Sequence, residues 1–486
     1  MDRYCVTFKL KTEKYQEDIL NKRFEIGRRL YNAVLSKANK RYLSMIRTRK
    51  YRKLAEQIRS TSDSTERKRL YKLLNDMYIQ YGLSEYALQK DVQGMQHYFS
   101  KNIDSFTAQK IVTRVWSSLE RLLFKNGESV HFKKYGQLNS LEGKSNKTGI
   151  RFKDNFLIWN GVKIPVKIDY NNPYECQAMQ GEICYCRIKR KFVRNKYKYY
   201  LQIVFKGTPP AKIDKNGEFK RRIGNGPVGL DIGNQTIAIV SNTDVRLIEL
   251  ADRVDNIEKE KRRILRYLDR SRRATNPGNF NEDGTVKKGR LEWKKSNRYI
   301  KAQKKLKELY RKQADVREYQ HQLLSNYILS LGNRIKVEDM DFSALQRRSK
   351  KTEKNYNGKF RCKKRFGKSL ANKAPAKLLT ILDNKLRYFG EVLIRVNTKD
   401  VRASQYNHFD SSYNRKELSQ RWNDFNGVKV QRDLYSAFLI QHVKDDLCTI
   451  DQDGCIMDFE NFKAMHDKEI ERLNNSVLGK PLMNVL

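Results

Sequence analysis

The sequence predicts a multidomain α+β protein in which a small β-barrel, split by an inserted helical lobe, is followed by an α/β domain with helical insertions. Three observations predict it. Apolar residues recur with period two, then with helical spacing, then with period two again before residue 210. The stretch from Lys206 to Pro227 carries Pro, Gly and Lys without apolar periodicity, and places a linker at 211–226. Beyond it, short apolar strands alternate with long amphipathic helices. A chain of 486 residues exceeds one ordinary domain, and its 39% hydrophobic and 11% aromatic residues supply enough apolar surface for packed cores.

The elements follow in order. Residues 1–12 hold an alternating strand, "YCVTFKL" (Tyr4 to Leu10). Residues 13–125 turn helical: Tyr15, Ile19, Phe24, Ile26, Leu30, Val34 and Leu35 mark one face, and "IVTRVWSSLERLLF" (Ile111 to Phe124) repeats the pattern. Residues 126–210 return to short alternating runs such as "FLIWNGVKIPVKI" and "YKYYLQIVF", the texture of a barrel that the first strand is expected to join. After the linker at 211–226, "VGLDIGNQTIAIVSN" reads as a β-hairpin whose first strand ends in Asp231. Residues 227–399 continue with a basic helix from about Asp255 to Arg273, a loop, a second helix through Leu306, Tyr310, Leu323 and Ile328, and the strand "NRIKVEDM" ending near Glu338. Residues 400–430 form an insert, and in 431–486 a turn feeds a helix through "QRDLYSAFLI", which carries Asp433. The acidic tail lacks the spacing and closing Glu of a calcium loop, so a β-turn at Asp453-Gly454 followed by a helix is expected.

Charge narrows the partners. Lys+Arg 101 against Asp+Glu 55 gives a net charge of +46, a field that points to a polyanion. A membrane surface competes with nucleic acid for that role, but no apolar run approaches a span and "MDRYCVTFKLKTEK" lacks a signal-peptide core, so an intracellular, cytoplasmic protein is expected. Seven scattered cysteines show no disulfide framework, and Cys184 and Cys186 at period two read as strand packing rather than a metal pair.

The acids Asp231, Glu338 and Asp433 lie 338 − 231 = 107 and 433 − 338 = 95 residues apart, so only adjacent strand ends of an α/β sheet can bring them together. Carboxylates so gathered repel one another unless divalent cations sit between them, and hard oxygen donors select Mg²⁺ or Mn²⁺. Two such ions about 3.5 to 4 Å apart can clamp the attacking and leaving oxygens of a phosphodiester displacement, with water as nucleophile. Taken singly, each acid has a plainer role: Asp231 could cap a turn, Glu338 could pair with a lysine, and Asp433 could cap a helix.

The segments "GLDIGNQTIAIVS", "KVEDMDFSAL" and "QRDLYSAFLI" stand in the order of the three motifs of a RuvC-like nuclease. With "RLYNAVL" (Arg29 to Leu35) and "HFKKYGQLNSLEGKSNKTGIRFK" (His131 to Lys153), the chain over roughly 1–440 resembles TnpB, the RNA-guided nuclease of bacterial insertion sequences, and the compact type V CRISPR effectors related to it. The resemblance implies a wedge barrel split by a recognition lobe, then an RNase H-like (RuvC) nuclease lobe in which Asp231, Glu338 and Asp433 hold two Mg²⁺ ions. It also implies a guide RNA, a double-stranded DNA target beside a short motif, and recognition of the heteroduplex through its backbone. A single site must cut two strands in succession, or a homodimer must present two.

Two departures accompany the resemblance. The family's zinc ribbon ahead of the last acid is replaced by a cysteine-free segment, "VRASQYNHFDSSYNRKELSQRWNDFNGVKV", in which Asn407 and His408 stand near the expected thiolates; no zinc is expected, and Trp422 and Phe425 are expected to anchor the insert. Tyr435 stands where an asparagine is common, which puts the surroundings of Asp433 in question. Nucleic-acid contacts are expected from the stretch Arg347 to Lys368, with 11 Lys or Arg in 22 residues, through Arg347, Arg348, Lys350, Lys351, Arg361, Lys363, Lys364 and Arg365. Arg262, Arg263, Lys133 and Lys134 are the further candidates. Three alternatives carry weight: a guide-directed repressor that does not cut, an actin-like or chaperone-type ATPase whose second phosphate loop is not found, and a DNA-strand transferase.

Overall fold

In a computed structural model, the described residues are 3–124, 127–214, 216–221, 223–347, 349, 353, 355–358, 366–417 and 420–475. The chain divides into two units, 1–210 and 211–486.

In the first unit, strand β1 (Arg3–Leu10) precedes helices α1 (Lys14–Ile46), α2 (Arg49–Ser60), α3 (Ser64–Gln80), α4 (Glu85–Tyr98) and α5 (Ser105–Phe124). Then come β2 (Ser140–Glu142), β3 (Arg151–Lys153), β4 (Phe156–Trp159), β5 (Val162–Lys167), α6 (Pro173–Met179), β6 (Ile183–Val193) and β7 (Lys196–Lys206). The strands form one antiparallel sheet in the order β2-β6-β7-β1-β5-β4-β3, with β1 at its centre between β7 and β5. Among the described residues no ladder joins the edge strands β2 and β3. The alternation that identifies β1 is the cause of its place: Val6, Phe8 and Leu10 are buried on one face, in the same core as Leu20, Phe24 and Leu30 of α1. Capping sets the helix boundaries, as where Glu13 and Gln16 form a capping box at the start of α1 and Asp63 accepts two amides of α3.

The second unit contains β8 (Pro227–Ile232), β9 (Thr236–Ser241), β10 (Val245–Glu249), α7 (Val254–Thr275), α8 (Asn297–Leu331), β11 (Arg334–Glu338), α9 (Phe342–Leu345), α10 (Gly367–Lys373), α11 (Pro375–Leu386), β12 (Ile394–Val396) and α12 (Thr398–Val401). It continues with β13 (Trp422–Phe425), β14 (Val428–Gln431), α13 (Arg432–Gln441) and α14 (Gln452–Asn475). Its five-stranded sheet has the order β10-β9-β8-β11-β12: β8, β9 and β10 form an antiparallel meander, while β11 runs parallel to both β8 and β12. Apolar side chains cover both faces of β8 and β9, with α8 and α11 contributing to one core and α13 and α14 to the other.

Two local expectations are corrected. Asp433 follows a strand rather than a turn, because Trp422–Phe425 and Val428–Gln431 pair as a hairpin whose second strand runs directly into α13. Asp453-Gly454 is not a β-turn but the first turn of α14; a side chain at residue 454 would meet the Asp451 carboxylate at 2.8 Å, so the glycine leaves room for the acid at the helix start.

Candidate active site at the carboxyl ends of β8 and β11

Parallel pairing of β8 with β11 sets Gly229 opposite Lys336 and Leu230 opposite Val337. One residue further along, Asp231 and Glu338 come level at the carboxyl ends of adjacent strands. The third acid arrives on α13, and a glycine determines how closely. A Cβ at Gly229 would lie 2.0 Å from the Ala437 carbonyl oxygen, so the helix backbone rests on β8 only because that position has no side chain. Asp433, one turn before Ala437, is thereby carried toward Asp231.

The charges act on one another. Burial pushes the Asp231 carboxyl well above the usual carboxylate range, the charges of Asp433 and Glu338 push it further, and Arg432 opposes them. Burial raises Glu338 to about 7. Neither Asp231 nor Glu338 has a side-chain hydrogen bond or ion pair among the described residues. The plainer roles are therefore not the ones found. The hairpin turn closes through Gly233 N–H to Thr236 O at 2.9 Å, Glu338 has no lysine partner, and the cap of α13 is Gln431, whose side chain accepts from Leu434 N–H at 2.8 Å.

Sequence reasoning missed Arg432. Its Nε lies 3.5 Å from Asp433 Oδ1, and its guanidinium also donates to the carbonyls of Glu417 and Gln420 at 3.3 and 3.2 Å. Its position directly before an acid in "QRD" was the available signal, and in so basic a chain that signal is faint. Oxygen-only donors of high mutual repulsion suit Mg²⁺ or Mn²⁺ in chemistry. As the side chains stand, no three His, Cys, Asp or Glu among the described residues are gathered tightly enough to ligate one ion.

The insert is packed without thiolates. His408 is fully buried; its backbone N–H donates to Tyr435 Oη at 3.1 Å and its Nδ1 lies 2.7 Å from the same oxygen. Phe409, Phe425, Phe438 and Phe459 surround its ring, and burial lowers its pKa to about 4. Trp422 and Phe425 pack against the same core.

Of the basic candidates, Arg348, Lys350, Lys351, Arg361, Lys363, Lys364 and Arg365 lie outside the described residues. Arg347 is exposed beyond α9. Arg262 and Arg263 are exposed on α7, with Arg262 Nε 3.5 Å from Glu258 Oε1. Lys134 is exposed, whereas Lys133 is half-buried, with its ammonium 4.7 Å from the Tyr31 ring centre and its backbone bound to Asn32. No helix among the described residues is long and apolar enough to cross a membrane.

No protein-family model and no curated protein matches the chain. Solved Cas12f complexes are similar to it. A Cas12f1-sgRNA-target DNA complex aligns over 90% of this chain and 98% of the other at 11% identity and a TM-score of 0.41. A CRISPR-Cas12f ternary complex aligns over 89% and 85% at 12% identity and a TM-score of 0.25.

Proposed function

We propose that the chain is an RNA-guided DNA endonuclease that binds a guide RNA, recognises a short motif beside its double-stranded target, and hydrolyses DNA phosphodiesters at a RuvC-like acidic site. The observation that carries this reading is geometric: Asp231 and Glu338, distant in sequence, come level at the carboxyl ends of two parallel strands, and Asp433 at the start of α13 acts with Glu338 on Asp231, against Arg432. A structural role would favour a set paired with cations, because gathering buried carboxyls without such partners costs stability. Two bound Mg²⁺ ions, or Mn²⁺ in their place, would supply the missing charge and the Lewis acidity that stabilises an in-line displacement. Asp231 and Glu338 would hold them from the rigid sheet, and Asp433 would close the set from α13. Arg432 tempers the charge beside Asp433, and the net charge of +46 suits a protein that follows nucleic-acid backbone while base pairing reads sequence.

A guide-directed repressor that binds without cutting is the competing reading. The two readings part in a single experiment. The protein is expressed with its flanking non-coding DNA, the copurifying RNA is sequenced, and the complex is tested with Mg²⁺ on plasmids carrying the matching target and randomised flanks. Depletion of plasmids with one flanking motif is expected, and Asp231→Ala, Glu338→Ala or Asp433→Ala should each abolish cutting while leaving RNA and target binding intact. Binding without cutting by the unaltered protein selects the repressor, and the absence of a discrete RNA rejects both readings.

A further inference from the structure

We propose that Lys336 and His466 are positioning residues of the acidic site, clamping the two ends of α13 so that Asp433 stays registered against Asp231 and Glu338. The proposal rests on the nuclease reading of that site, and neither residue touches the acids.

Lys336 is a buried lysine, 5% exposed, without a carboxylate partner among the described residues. Its ammonium donates instead to the carbonyls of Gln441, at 3.1 Å, and Val443, the last residue of α13 and a residue just beyond it. A cation there satisfies carbonyls the helix leaves open and meets the negative end of its dipole. Lys336 stands two residues before Glu338 on β11, so the two side chains leave the strand on the same face. One strand face thus holds the carboxyl end of the helix and presents an acid toward its amino end.

That amino end is held from α14. The backbone N–H of Gln431, the residue that caps α13, donates to His466 Nε2 at 3.0 Å. An amide can only donate, so Nε2 is the unprotonated nitrogen and the ring proton sits on Nδ1, 2.9 Å from Asp467 Oδ1. His466 is 1% exposed, and the Trp422 and Phe462 rings pack about it, so the acceptor is fixed in place. Between the two clamps, contact at Gly229 settles the depth of the helix on the sheet. A misplacement of about 1 Å at a reacting centre can cost on the order of a hundredfold in rate, so the clamps bear on chemistry through the place of Asp433.

The test uses the full chain with its guide RNA and compares Lys336→Met, Lys336→Arg, His466→Phe and His466→Gln. Target binding, single-turnover cleavage against Mg²⁺ concentration, and hydrogen exchange at Gln431 and Leu434 are measured. Lys336→Met and His466→Phe should cut about ten- to a hundredfold more slowly and need more Mg²⁺ for half-maximal rate, with target binding unchanged within about twofold. Lys336→Arg and His466→Gln, which keep a cation and an acceptor, should recover most of the rate, and His466→Gln should keep the Gln431 amide protected where His466→Phe loses it. If Lys336→Met does not fold, the His466 pair decides the matter. Cleavage at the unaltered rate in His466→Phe, loss of cleavage only in step with loss of target binding, or no advantage of Gln over Phe would each overturn the clamp and leave the nuclease reading standing. An unaltered complex that binds its target and never cuts overturns that reading, and the clamp's role with it.

Discussion

A carboxyl whose pKa is higher in the folded than in the unfolded chain binds more protons when folded, so stability falls as pH rises through the interval between the two values. For Glu338 that interval runs from about 4.5 to about 7. In EDTA, Glu338→Gln should therefore lessen the fall in Tm across this window and be more stable than the unaltered protein above it, by on the order of 1–3 kcal/mol. Mg²⁺ should raise the Tm of the unaltered protein and leave that of an Asp231→Asn, Glu338→Gln double variant where it was. Melting curves with the same pH dependence in both proteins would remove the electrostatic argument for the site. Asp231 and Glu338 were legible because each interrupts an apolar strand at its end. Arg432 and Lys336 were not, since in a chain with 101 Lys and Arg a structural cation looks like surface charge until the group it faces is known.

At the scale of elements, α13 is positioned by what surrounds it. Gly229→Ala would force a methyl group to within 2.0 Å of the Ala437 carbonyl, so the helix must lift from β8. A loss of about 3 kcal/mol in stability is expected, with cleavage lost even at temperatures where the variant stays folded; an active Gly229→Ala protein would mean that the site tolerates a displaced Asp433. The insert ahead of α13 is tied to it by Tyr435, which the sequence marked as a departure and the fold explains. Tyr435→Phe leaves the His408 backbone N–H and Nδ1 without their oxygen, and should cost roughly 1–3 kcal/mol in a thermal or urea unfolding measurement. An unchanged midpoint would show that ring packing alone holds the insert. The short hairpin of β13 and β14 escaped sequence reading because four-residue strands carry too little periodicity, and the first turn of α14 was hidden behind an Asp-Gly pair that ordinarily signals a turn.

At the scale of the whole molecule, a net charge of +46 predicts that affinity for nucleic acid falls steeply with salt, with a log–log slope of about 0.7 to 0.9 per phosphate contact. Filter binding at several salt concentrations measures it, and a slope near zero would exclude a backbone-tracking role. Composition, charge, the period of each segment, the two acids at strand ends and the third at a helix start could all be read from the sequence, because they are local properties or sums over residues. Tertiary structure alone decided that β1 sits at the centre of the first sheet, that Gly229 is where α13 rests, that Tyr435 partners His408, and that Lys336 and His466 reach the two ends of one helix. Each of these joins residues far apart in the chain, and no local pattern encodes a contact whose partner is chosen by packing.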